Sequence, residues 1–229
     1  MREKDDLVVA TVFQLGNLEF THSVVTTWGL MALLGLAGWL CTRRLQDRAG
    51  LMQTLAEAVV ASMEDAIAAV APQHARLLLP LIGSLWAFLV SANLCGLIPG
   101  LDSPTRDLSV TSALAVIVFL SVHWFGIRDQ GLRRYLRHYL TPSPFLLPFH
   151  LLGELTRTLA LAIRLFGNMM SLEMAALLIL SVAGFLAPVP LLMLHVIEAL
   201  VQAYIFGMLA LIYVAGGLQS QQSKNSREH

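Results

Sequence analysis

From His22 to Cys41 the chain runs for twenty residues without a lysine, arginine, aspartate or glutamate, and Thr42, Arg43 and Arg44 close the run. About twenty apolar residues are what an α-helix needs to cross the roughly 30 Å hydrocarbon core of a bilayer. Lipid offers no partner to an exposed peptide group, so a helix or a closed barrel is the only backbone that can occupy that position. Further runs of the same kind follow. Residues 77–99 and 110–127 read as a second and a third span, joined into a hairpin by the turn-rich PGLDSPTRD. The chain is helix-compatible over 151–187, Pro188 and Pro190 mark a turn, and a last apolar helix covers 191–214.

Between these runs the charges are confined to short stretches. Charged residues make up 13% of the 229 and hydrophobic ones 56%, against about 25% charged in ordinary soluble domains. The expected architecture is a single all-α integral membrane domain over 1–229, with five transmembrane helices and no extramembrane domain of useful size. Residues 50–71 differ from the spans because Gln53, Glu57, Glu64 and Asp65 interrupt the apolar positions at helical spacing, which predicts an amphipathic interfacial helix. The polar tail, 218–229, is expected to be disordered. The charged first residues, and the interruption of the following stretch by Gln14, Asn17 and Glu19, predict no cleaved signal peptide.

Several function classes recede on composition. Formal net charge is zero, so bulk electrostatics point to the bilayer and not to nucleic acid. Cys41 and Cys95 lie in or beside apolar runs with no CxxC or Cys/His spacing, which predicts packing residues and no metal site. Nothing resembles a phosphate cradle or a paired nucleophile and base, so neither a cofactor nor catalysis by this chain itself is expected. Orientation follows from Lys and Arg placement. One side receives Arg43, Arg44, Arg48, Arg76, Arg128, Arg133, Arg134, Arg137, Lys224 and Arg227, and the other only Arg2, Lys4 and Arg106. Membrane-proximal cytoplasmic loops are the basic ones, so the N-terminus is expected outside and the C-terminus inside.

The final two helices carry the functional signal. Ionisable side chains within a span are costly, about 2.5–3.5 kcal/mol each on insertion scales, and are generally paired, water-exposed or functional. The first arm of this hairpin holds Glu154, Arg157, Arg164, Asn168 and Glu173, and the second holds His195, Glu198 and Gln202. At about 100° per residue, Arg157, Arg164 and Asn168 share one face, and His195, Glu198 and Gln202 share another. Arg157 and Glu154, near the inner end, read as interfacial snorkelling groups. Glu57, Glu64 and Asp65 read as the solvated face of the amphipathic helix. His22, His74, His123, His138 and His150 carry no spacing that assigns a role. The 37 residues of 151–187 would reach about 55 Å as one helix, so the C-terminal hairpin is expected to tilt steeply.

The stretch RLFGNMMSLE, residues 164–173, closely resembles the signature of subunit a of F-type ATP synthases, bacterial type. HVIEALVQAYIFGMLALIYV (195–214) is similar to that family's final helix, SANLCGLIPG (91–100) to its NLxGLIP segment, and TRDLSVTSALA (105–115) to the polar start of its third span. The resemblance implies a non-catalytic, proton-translocating stator subunit of the Fo sector, multi-pass in a bacterial inner membrane. Its partners would be the c-ring, the peripheral stalk subunit b and the rest of the F1Fo complex. Arg164 would face the carboxylate of the rotating ring, with Gln202 beside it and Asn168 on the cytoplasmic access path. Glu173 and His195 would belong to the outer half-channel. Met170, Ser171 and Leu172 depart from the commonest motif, which bears on channel width near Glu173. Glu198 has no role by resemblance, and its place on the polar stripe makes it an additional outer-channel group. The rival reading is a secondary transporter or ion channel with an intramembrane Arg/Glu/His site, which calls for inverted repeats and helix breaks that the sequence does not show clearly. A purely structural membrane anchor accounts poorly for the polar stripes.

Overall fold

The structure is a computed structural model that describes residues 11–15, 18–43, 50–97, 103–131, 147–183 and 189–225. The basic loop with Arg133, Arg134, Arg137 and His138, the expected end of the long helix at 184–187 and the turn at Pro188 lie outside these residues. So do Arg2, Lys4, Arg44, Arg48 and Arg227. Strands β1 (Thr11–Leu15) and β2 (Leu18–Thr21) pair antiparallel ahead of the first helix. This small hairpin is an addition to an otherwise helical plan.

Among the described residues six α-helices follow: α1 (His22–Arg43), α2 (Leu51–Val70), α3 (Ala75–Cys95), α4 (Leu108–Gln130), α5 (Leu147–Ala183) and α6 (Val189–Asn225). Five of them, all but α2, are long and apolar enough to cross a membrane. The chain is thus an all-α integral membrane protein. Local chemistry sets the boundaries. Asp107 caps α4 by accepting from the Ser109 backbone N–H at 2.9 Å, which satisfies one of the donors left open at a helix start. Gly131 follows α4 with φ +79°, a conformation that glycine adopts without a Cβ penalty. Pro190 falls in the first turn of α6, where its missing N–H goes unneeded. The tail differs from expectation: α6 continues to Asn225, so 218–225 is helical and not disordered.

Helix α6 runs through the centre of the bundle, packed against α3, α4 and α5. Its Phe206, Leu211 and Val214 share one buried core with Leu78, Ile82, Leu85, Trp86 and Leu89 of α3, Leu114 and Val118 of α4, and Leu161 and Leu165 of α5. Ala199, Ala203, Gly207 and Ala210 put small residues along the buried side of α6, which allows the close backbone approach that membrane helices pack by. Gly207 is the tightest point, because a Cβ there would overlap the Trp86 indole nitrogen. That indole stacks on Tyr204 with ring centroids 5.9 Å apart. Helix α2 buries Ile67 in the core and keeps Glu57 and Asp65 exposed. Its Glu64 reaches Arg76 at 3.6 Å. Helices α5 and α6 are each 37 residues long, about 55 Å. A helix of that length must tilt, bend or extend beyond a hydrocarbon core of roughly 30 Å.

Candidate intramembrane polar site

Helix α5 divides into two sides around its arginine. Leu161, Ala162, Leu165 and Met169 are buried in the bundle, and Leu159, Ile163, Arg164 and Met170 are exposed. Arg164 therefore sits on the outward side of its helix, and it makes no hydrogen bond or ion pair with any described residue. A guanidinium stays protonated at any physiological pH. The chain thus presents a fixed positive charge among the exposed apolar side chains of a membrane span.

One turn along, Asn168 is half-buried and donates its Nδ2 to the Oε1 of Gln202 on α6 at 2.6 Å. Gln202 is 2% exposed. Its carboxamide oxygen is satisfied by this bond, but its Nε2 is buried without a partner among the described residues. A buried donor left unmade costs about 1–3 kcal/mol, which is the kind of liability that water or a neighbouring subunit relieves. On the same face of α6, His195 is half-buried, with a buried Nε2 that likewise has no partner among the described residues. Glu198 is half-buried and forms no ion pair with a described residue. Glu173 lies in α5, with its side chain outside the described set. Of the six residues singled out in the sequence, the structure joins Asn168 and Gln202 directly.

Two features were not apparent from the sequence. The first is a buried polar network at the end of α3. Asn93 donates Nδ2 to the Ala199 carbonyl of α6 at 3.1 Å, and its Oδ1 accepts from the Thr105 hydroxyl at 2.8 Å. Ser103 lies 2.8 Å from the Thr105 hydroxyl and donates to the Ala92 carbonyl at 2.9 Å. The segment before α4 is thereby pinned to the middle of α6, between Glu198 and Gln202. The second is His123, which sequence reading left without a role. Its Nε2 stands 3.2 Å from Oε2 of Glu154 across the contact between α4 and α5. Glu154 is therefore half-buried and paired, and does not simply snorkel. Arg157 is exposed, and its guanidinium lies 5.8 Å from the ring centroid of Tyr213.

The profile of the ATP synthase A chain family matches residues 24–215. The chain is 65% identical over 205 residues to "ATP synthase subunit a 1" of Hahella chejuensis, covering 90% of this chain and 87% of that one. It is 60% identical over 215 residues to "ATP synthase subunit a 2" of Pelobacter propionicus, with 94% of each chain covered. It is 54% identical over 217 residues to "ATP synthase subunit a" of Legionella pneumophila, again with 94% of each covered. The chain belongs to the ATP synthase subunit a family. The resemblance carried by RLFGNMMSLE is borne out, and family membership decides against the secondary-transporter reading. A subunit a of this kind is a multi-pass membrane component of the ATP synthase, and the family's role is ion translocation in the Fo sector.

Proposed function

We propose that this subunit a is the non-catalytic stator that couples proton flow to rotation, with Arg164 as the group that meets each carboxylate of a neighbouring c-ring. The observation that carries the reading is the outward, unpaired guanidinium on α5. A cation neutralised inside its own chain could not attract a partner's carboxylate, whereas this one has no internal acid among the described residues. The exposed apolar residues beside it, Leu159, Ile163 and Met170, offer a surface for a second apolar membrane element.

The chemistry follows from charge. A ring carboxylate facing lipid must be neutral, because an ion in hydrocarbon is too costly. Beside Arg164 the same group favours its ionised form, so it releases its proton there to an inner half-channel. A proton arriving by an outer half-channel neutralises the carboxylate again and lets it return to lipid. Arginine suits the place between the two paths because it holds its own proton and passes none across. His195, Glu198 and Glu173 supply the outer path, and the Asn168–Gln202 pair forms the polar floor beside the arginine. Moving one charge through 100 mV is worth about 2.3 kcal/mol, so several protons pass for each ATP. ATP chemistry takes place in partner subunits, and subunit b of the peripheral stalk holds the stator still. The subunit lies in the bacterial inner membrane with its N-terminus outside and its C-terminus in the cytoplasm, as the basic loops indicate.

The test is Arg164→Ala in the whole complex in sealed membranes. Proton-driven ATP synthesis is expected to vanish while the subunit still assembles. Normal synthesis by the assembled variant would reject the assignment.

A further inference from the structure

We propose that His123 and Glu154 form a proton-exchange pair at the mouth of the inner half-channel, an inference that rests on the reading of Arg164 given above. Glu154 lies two residues after the Leu152 start of the apolar span in α5, and His123 five residues before the Arg128 end of that in α4. Each is thus within roughly 3–8 Å of the end of its span, measured along the helix. The two side chains are 25% and 23% exposed and meet Nε2 to Oε2 at 3.2 Å.

The proton count at this contact is constrained. The other ring nitrogen, Nδ1, stands 2.9 Å from the Phe119 carbonyl oxygen. A carbonyl oxygen only accepts, so Nδ1 carries a hydrogen. Nε2 and Oε2 stand at ion-pair distance without the alignment of a hydrogen bond. An imidazolium beside the carboxylate, or a carboxylic acid beside the neutral imidazole, relieves the repulsion that two lone pairs would meet at this distance. In either form the pair holds one transferable proton.

Three described charged or titratable groups stand at this end of the bundle. Arg157 lies three residues along α5 with its guanidinium over Tyr213 of α6, and Arg128 lies five residues beyond His123 on α4. Arg164 is ten residues from Glu154 on the same helix, about 15 Å away, which is too far for direct transfer. In the synthesis direction, a proton released beside Arg164 reaches the pair through water as the pair's own proton leaves for the cytoplasmic aqueous phase. One N–H or O–H bond breaks, one forms, and the charge of the pair returns to its starting value.

The experiment uses inverted vesicles carrying the whole complex, stripped of the nucleotide-hydrolysing sector. Passive proton conduction under an imposed potential is followed against the pH on the cytoplasmic side. His123→Gln and Glu154→Gln are each expected to slow conduction about tenfold or more and to flatten its pH dependence, with the double variant no slower than either single one. Imidazole added on the cytoplasmic side is expected to restore conduction in His123→Ala. Wild-type rates and pH profiles in both glutamine variants would overturn the proposal. So would a loss that matches a lower amount of subunit in the membrane and does not respond to imidazole. Arg164→Ala separates the two claims. ATP synthesis surviving in it removes the motor reading itself, whereas synthesis lost in it alongside unchanged conduction in the pair variants removes only the pair.

Discussion

Asn168 and Gln202 are 34 residues apart in sequence and share a hydrogen bond of 2.6 Å across α5 and α6. The bond fixes the carboxamide of a fully buried glutamine one helical turn from an arginine that faces out of the chain. It ties the two helices that carry the polar stripes at a single level.

Gln202→Leu tests what this bond contributes. The substitution removes an acceptor from Asn168 but also removes the unsatisfied Nε2, so the two effects on stability largely offset. Proton-driven ATP synthesis is expected to fall several-fold, less than in Arg164→Ala, while the amount of assembled complex stays near wild type. Loss of the subunit from the membrane would assign Gln202 to packing instead.

Gly207→Ala addresses how α6 is held in register. A methyl group there would overlap the Trp86 indole, so one of the two must move, and overpacking of this kind costs about 1–3 kcal/mol. The variant complex is expected to lose heat resistance in detergent, measured by aggregation of the solubilised assembly. Adding Trp86→Leu should recover part of the loss. An unaltered melting profile in the single variant would mean that α6 stands farther from α3 than the structure places it.

Span content was legible because lipid imposes a length and an apolar composition that soluble folds do not share. The identity of the family was legible in one ten-residue stretch around Arg164. The side of α5 that packs inward was not. Leu161 and Leu165 are buried while Leu159 and Ile163 are exposed, yet all four are equally apolar, since lipid and protein core reward the same chemistry. The His123–Glu154 contact joins residues from different helices, and no periodicity within one helix could announce it. Asn93 finds its partner in a backbone carbonyl, which leaves no side-chain signature at Ala199. The helical tail to Asn225 follows as a continuation of α6, where propagation adds a hydrogen bond per residue once a helix exists. Polar composition alone had suggested disorder there.

Asn93→Leu is expected to be more damaging than its single hydrogen bond to Ala199 suggests. It also strips Thr105 of its acceptor at 2.8 Å in a fully buried setting, and each group left unsatisfied costs about 1–3 kcal/mol. Limited proteolysis of the solubilised complex should show earlier cleavage before α4, near residues 97–107. Ser112→Ala, which removes only a local bond to the Ser109 carbonyl on its own helix, serves as the comparison and should leave the digestion pattern unchanged.

The sidedness of the hairpin formed by α3 and α4 gives the most direct check of orientation. Ser109 opens α4 and is exposed, and Arg128 near its other end is exposed as well, so a cysteine at either place is open to a reagent in water. Cys41 and Cys95 are free and are first replaced by serine. If basic loops mark the cytoplasmic side, a membrane-impermeant maleimide labels Ser109→Cys in right-side-out vesicles, and labels Arg128→Cys only in inverted ones. The opposite pattern would reverse the whole bundle in the membrane. The outer and inner half-channels would then exchange places, and the His123–Glu154 pair would lie at the outer mouth.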